Sequence, residues 1–138
     1  MHERGVIRNR QLAMQIRDFS GLRFGTITPT DIDGFLEFGD RLFVFIEGKR
    51  DGAPLSGGQM LALARLADAC HMPPRRIATV IVADHVTGPE DIDYANATVR
   101  TLRWAGKWVR PRQRGITLRA AIDQLLALSQ RPALKVVT

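Results

Sequence analysis

One cysteine, Cys70, is the only thiol in this 138-residue chain. A single thiol forms no internal disulfide and builds no cysteine-rich zinc site, so a reducing, cytoplasmic setting is expected. Long apolar runs are missing as well. The longest stretch without a charge, Gly52 to Ala64, is interrupted by Pro54, Gly57 and Gly58. It falls short of the roughly 20 apolar residues that span a bilayer. The opening Met1-His2-Glu3-Arg4 is charged and lacks the apolar stretch of a signal peptide, and no membrane partner is expected. The three histidines, His2, His71 and His85, have no metal-ligand spacing. Neither a Walker-type phosphate loop nor a serine-nucleophile elbow occurs, and there is no repeat or low-complexity tract.

What remains is an ordinary globular composition, 45% hydrophobic and 25% charged, enough for a single domain over residues 1–138. The formal net charge is +6, unevenly spread. Residues 1–28 carry a net +3, residues 29–99 a net −5 and residues 100–138 a net +8. An acidic middle between basic ends suits a cation-binding centre beside a phosphate-binding surface; an unevenly charged solvated surface gives the same pattern.

Hydrophobic periodicity predicts an amphipathic helix over about Val6–Phe19. Gly34–Phe38 and Leu42–Ile46 read as a hairpin through Gly39-Asp40, the second strand ending at Glu47-Gly48-Lys49-Arg50. Ser56 opens a helix to about Ala69, stopped by Pro73-Pro74. Ile77–Val82 is a buried strand, Gly88–Asp91 a turn, and Thr98–Val109 a strand pair around Ala105-Gly106-Lys107. Thr117 caps a last helix that is followed by Pro132. The order predicts an α/β fold, with a mixed central β-sheet flanked by helices.

The residues with chemical potential are Asp31, Asp33, Glu47 and Lys49. Glu47 and Lys49, two apart on a strand, leave it on one face. A three-residue loop, Gly39-Asp40-Arg41, pairs Phe38 with Leu42 and sets Asp33 opposite Glu47; a two-residue loop sets Asp33 opposite Ile46 instead. The first register brings two carboxylates onto one face, where they repel unless a cation or a proton intervenes. A hard divalent cation such as Mg²⁺ meets that need, and Lys49 beside it orients water or stabilises developing negative charge. The plainer alternative is a strand-end ion pair of Glu47 and Lys49, with Asp31 and Asp33 capping a turn.

Asp33, a hairpin, then Glu47-Gly48-Lys49, followed by Ser56-Gly57-Gly58-Gln59 on a helix, resembles the PD-(D/E)xK nuclease superfamily. The likeness is to its VRR-NUC and phage-encoded, Holliday-junction-resolvase-like branch, over roughly residues 15–85. The resemblance implies a restriction-endonuclease-like core and a Mg²⁺-dependent DNA endonuclease, with Mn²⁺ able to substitute. It implies Asp33 and Glu47 as metal ligands with the Gly48 carbonyl, Lys49 as catalytic lysine, and Gln59 positioning the lysine or the water. The family's aspartate corresponds to Asp31 or Asp33. Asp33 is preferred because it directly precedes the apolar strand, which leaves Asp31 a supporting role. Pro29 stands two residues before Asp31, so the literal Pro-Asp pair is absent. Ser56 and Gln59 also form a capping box, which needs no catalysis.

In the basic C-terminal third, Arg103, Lys107, Arg110, Arg112 and Arg114 are candidate DNA-backbone contacts. Trp104 and Trp108 are available for base stacking or for core packing. A chain this short leaves little for a sequence-reading domain, so structure-selective or partner-directed cleavage is expected, with a homodimer suited to symmetric substrates. The competing reading is a catalytically inactive nucleic-acid-binding or accessory protein of phage origin on the same fold.

Overall fold

A computed structural model describes residues 16–88 and 90–130. The chain divides between Thr30 and Asp31 into two compact units. In the first, Ser20–Leu22 makes one 3-10 turn, and Phe24 and Ile27 form an isolated antiparallel bridge. Residues 16–19 are not helical. The rest of the helix expected over Val6–Phe19 lies outside the described residues, as do Pro89 of the expected turn and Pro132.

The second unit is a mixed five-stranded sheet with a helix on each face, confirming the α/β expectation. Strands β1 (Gly34–Phe38), β2 (Leu42–Arg50), β3 (Ile77–His85), β4 (Thr98–Trp104) and β5 (Lys107–Val109) lie in chain order across it. β2 and β3 are parallel; every other neighbouring pair is antiparallel. Helix α1 (Gly57–Cys70) makes the β2–β3 crossover that a parallel pair requires, and α2 (Leu118–Ser129) follows β5. Among the described residues no helix is long and apolar enough to cross a membrane.

Side-chain alternation builds the two layers of core. Leu42 and Val44 of β2 join Ile77, Ile81 and Val99 beneath Leu118, Ile122 and Leu125 of α2. The intervening Phe45 points the other way and packs with Val80 against Leu63 and Ala67 of α1. The buried residues of α1, Met60, Leu63, Ala64 and Ala67, recur at the spacing of one helical face.

Both hairpins are set by local chemistry. Gly39 and Asp40 adopt left-handed backbone, φ 56° and 65°, in the loop that pairs Phe38 with Leu42. Arg76 and Arg75 hold the Asp40 carboxylate at 2.6 and 2.7 Å, tying this turn to the segment before β3. Ala105 and Gly106, φ 49° and 82°, make the two-residue turn between β4 and β5, where positive φ at both positions matches the strand twist.

β2 and β3 run longer than their apolar stretches predict. β2 continues through Glu47-Gly48-Lys49-Arg50, and β3 continues through Asp84 and His85, because the two strands pair up to Arg50 and His85. The polar residues that mask this extension lie at the end of the sheet that carries Glu47 and Lys49.

Candidate active site

The β1–β2 register sets Asp33 opposite Glu47, one residue past the final rung of Gly34 and Ile46. Asp33 N still donates to Ile46 O at 3.2 Å. Beyond that point the Asp33 carboxylate takes over from the ladder, its Oδ2 accepting from Gly48 N at 2.8 Å. The two acids share the α1 face with Phe35, Phe43 and Phe45, where the Phe35 ring stacks on Phe45 and meets Phe43 edge-on. Glu47 sits deeper, 2% exposed, while Asp33 is exposed.

Burial, together with a hydrogen bond and like charge from the adjoining Asp33 carboxyl, pushes the Glu47 carboxyl up to about 7. Lys49 opposes that rise. Its Nζ lies 3.6 Å from Glu47 Oε2, an ion pair too long for a hydrogen bond. Glu47 Oε2 is thus a buried acceptor with no hydrogen-bond partner, a costly arrangement that a further ligand or a proton would relieve.

Lys49 is held from α1. Gln59 Oε1 accepts from Nζ at 3.4 Å, and Gln59 Nε2 donates to Asp31 O at 3.4 Å. Ser56 is the N-cap, its Oγ accepting from Gln59 N at 3.5 Å. Only half of the expected capping box is therefore present. The backbone of Gln59 serves the helix and its side chain serves Lys49. Asp31 enters through its carbonyl.

Asp84, the register partner of Lys49 on β3, is a further acid on this face. Arg100 clamps its two oxygens through Nε at 2.9 Å each and donates Nη1 to Ala53 O at 2.8 Å. That pairing leaves Asp33 and Glu47 as the converging acids. Among the described residues no group of three or more His, Cys, Asp or Glu is placed to hold a metal ion. The two-carboxylate set, with the Gly48 carbonyl next to Glu47 in sequence, suits a cation that keeps water and takes substrate oxygens as its other ligands.

No family model, curated protein or solved structure matches this chain.

The five basic candidates do not form one cluster. Arg103 makes a bidentate pair with Asp68 of α1, at 3.0 and 2.7 Å, and lies over the Trp108 ring. It holds the Asp68 carboxyl below its ordinary range. Lys107 pairs with Trp104, at the end of the sheet opposite Glu47 and Lys49. Arg110, Arg112 and Arg114 are exposed on the segment that returns alongside β4, where Ile116 O accepts from Val99 N. Counting sheet spacings, that segment runs roughly 14 Å from β2. Arg110 and Arg112 border an apolar groove of about 690 Å³ against α2, away from the carboxylates. Trp104 packs edge-on against His71 and Trp108 lies under Arg103, so both tryptophans contribute to packing.

One residue of the site escaped sequence reasoning. The ring of Tyr94 fills the space beside Gly48, where an ideal Cβ would lie 2.6 Å from the phenol oxygen. Burial, and the charges of Asp33 and Glu47, push this phenol up from its ordinary range. A lone tyrosine between Asp93 and Ala95 carries no motif, and only the fold brings it to Gly48.

Proposed function

We propose that this chain is a metal-dependent nuclease that hydrolyses DNA phosphodiester bonds on a restriction-endonuclease-like core. The observation that carries the reading is the convergence of Asp33 with a buried, hydrogen-bond-deficient Glu47 beside a lysine held by Gln59. A strand-end ion pair needs only Glu47 and Lys49. Even with Asp33 capping the backbone at Gly48, it does not explain the Gln59 bridge to Lys49 or the buried Glu47 acceptor left without a partner.

In this reading Asp33, Glu47 and the Gly48 carbonyl hold Mg²⁺ or Mn²⁺, which supplies Lewis-acid polarisation of the phosphate and a more acidic water when bound. Asp33 also fixes the backbone of Gly48, setting the direction of the carbonyl that follows. Lys49, oriented by Gln59, places positive charge where the attacked phosphate accumulates negative charge. Gln59 in turn is fixed by the Asp31 carbonyl. Arg110, Arg112 and Arg114 offer a backbone-tracking surface on the far side of the sheet. The small size favours recognition of DNA structure, or delivery by a partner protein, and a symmetric substrate favours a homodimer.

The test is incubation of linear, nicked, flapped and four-way DNA with Mg²⁺, Mn²⁺ or EDTA. Cleavage that requires the metal and disappears in Glu47→Gln supports the reading. DNA binding without cleavage in either metal favours the inactive binding module instead.

A further inference from the structure

Lys49 stands between two acids. Glu47 precedes it by two residues on β2, and Asp84 is its register partner on β3, on the same face of the sheet. Neighbouring strands lie about 4.8 Å apart, whereas two residues along a strand span about 6.6 Å. The backbone of Lys49 is therefore nearer to Asp84 than to Glu47. Its ammonium nevertheless goes to Glu47 Oε2 and Gln59 Oε1. The four-carbon stem is flexible enough to serve either acid, so something else decides between them.

Arg100 reaches Asp84 through a defect in the ladder. β3 and β4 pair Ala83 with Val99 but Val82 with Thr101, which leaves Arg100 as the extra residue of a β-bulge. A bulge frees one residue from the ladder and re-aims a side chain. Here the Arg100 guanidinium takes both Asp84 oxygens, with Nε at 2.9 Å from each and Nη2 also on Oδ1. Its Nη1 donates to Ala53 O at 2.8 Å, in the loop between β2 and α1. That loop is tied a second time, by Asp51 N to His85 O at 2.8 Å. The Asp84 and Arg100 side chains are only 17% and 24% exposed. A carboxylate so shielded is costly to leave without its partner. Without Arg100, the cation placed to relieve it is Lys49.

We propose that Arg100 is a positioning residue: by occupying Asp84 it keeps Lys49 on Glu47 and Gln59. The consequence for cleavage rests on the nuclease reading; the location of the Lys49 ammonium does not.

The test compares wild type, Arg100→Gln, Asp84→Asn and the double variant Asp84→Asn/Arg100→Gln. Three quantities are read: the crystallographic position of Lys49 Nζ in metal-free protein, single-turnover cleavage of branched DNA in Mg²⁺, and melting temperature. Arg100→Gln is expected to move Nζ onto Asp84 and to slow cleavage about tenfold or more. Asp84→Asn leaves no charge to capture Lys49. In the double variant Nζ should therefore return to Glu47, and cleavage should recover to within about twofold of Asp84→Asn. Every variant loses the Asp84–Arg100 pair and should melt lower, so a merely structural role predicts a double variant no faster than Arg100→Gln. That result overturns the proposal, as does Nζ remaining on Glu47 in Arg100→Gln. Arg100→Met, which keeps an unbranched stem, serves if Arg100→Gln fails to fold. If wild type cleaves no DNA, the nuclease reading fails, and Nζ alone decides: a move to Asp84 that the double variant reverses upholds the proposal, and an unmoved Nζ overturns it.

Discussion

Asp33 reaches across the hairpin to the backbone of Gly48, its Oδ2 2.8 Å from the amide nitrogen. One carboxylate thus closes the open end of the β1–β2 ladder and stands beside the Glu47 carboxyl. The contact joins the two sequence segments on which the proposed chemistry depends. It also explains why Asp33, rather than Asp31, is the acid at the site: Asp31 contributes its carbonyl to Gln59.

The metal-free protein is expected to lose stability as pH rises through the Glu47 titration. The Glu47 carboxyl is raised from 4.5 to about 7 in the fold, so between those values the native state holds a proton that the unfolded chain has released. Stability therefore falls with rising pH across that window and levels off above it. Glu47→Gln cannot lose a proton and should remove this component. Urea denaturation of both proteins in EDTA at pH 5 and pH 8 checks it: the variant should gain on wild type at pH 8. A stability difference independent of pH would contradict the assignment. Added Ca²⁺ should restore wild type at pH 8 more than the variant.

Ser56 and Gln59 should separate by phenotype. Ser56→Ala removes a long N-cap bond and is expected to cost about 1 kcal/mol in stability, with cleavage nearly unchanged. Gln59→Ala keeps the cap but frees Lys49, so turnover should fall with little change in melting temperature. Thermal melts and single-turnover rates on both variants decide this. Equal effects on both readouts would mean that Gln59 acts only at the helix start.

The basic residues should divide in two. Neutralising Arg110, Arg112 and Arg114 on a Glu47→Gln background should weaken binding to all DNA sequences alike. The slope of log affinity against log salt should become shallower by about 0.9 per lost duplex phosphate contact. Arg103→Ala should instead lower stability, because it strands Asp68 and uncovers Trp108. An unchanged salt slope in the triple variant would leave those arginines a solubility role.

The hairpin was legible because Gly39-Asp40 interrupts two apolar runs, but the turn allowed two loop lengths, and it is the observed pairing of Phe38 with Leu42 that sets Asp33 opposite Glu47. The α1 start was legible from Ser56 and Gln59, although the use of the Gln59 side chain was not. Arg103 reads as a free cation until the fold places Asp68 beside it. The end of β3 was hidden because Asp84 and His85 are polar in a strand buried elsewhere. Tyr94 was hidden most completely, since its position depends on how the segment after β3 folds back over Gly48.

The most direct measurement is single-turnover cleavage of branched DNA by wild type and Lys49→Ala in Mg²⁺, with DNA affinity measured in parallel in Ca²⁺. Loss of a charge-stabilising group that acts in the transition state should slow cleavage by about a hundredfold or more while affinity stays close to wild type. Near-normal turnover in Lys49→Ala, or no metal-dependent cleavage by wild type on any substrate, would contradict the account.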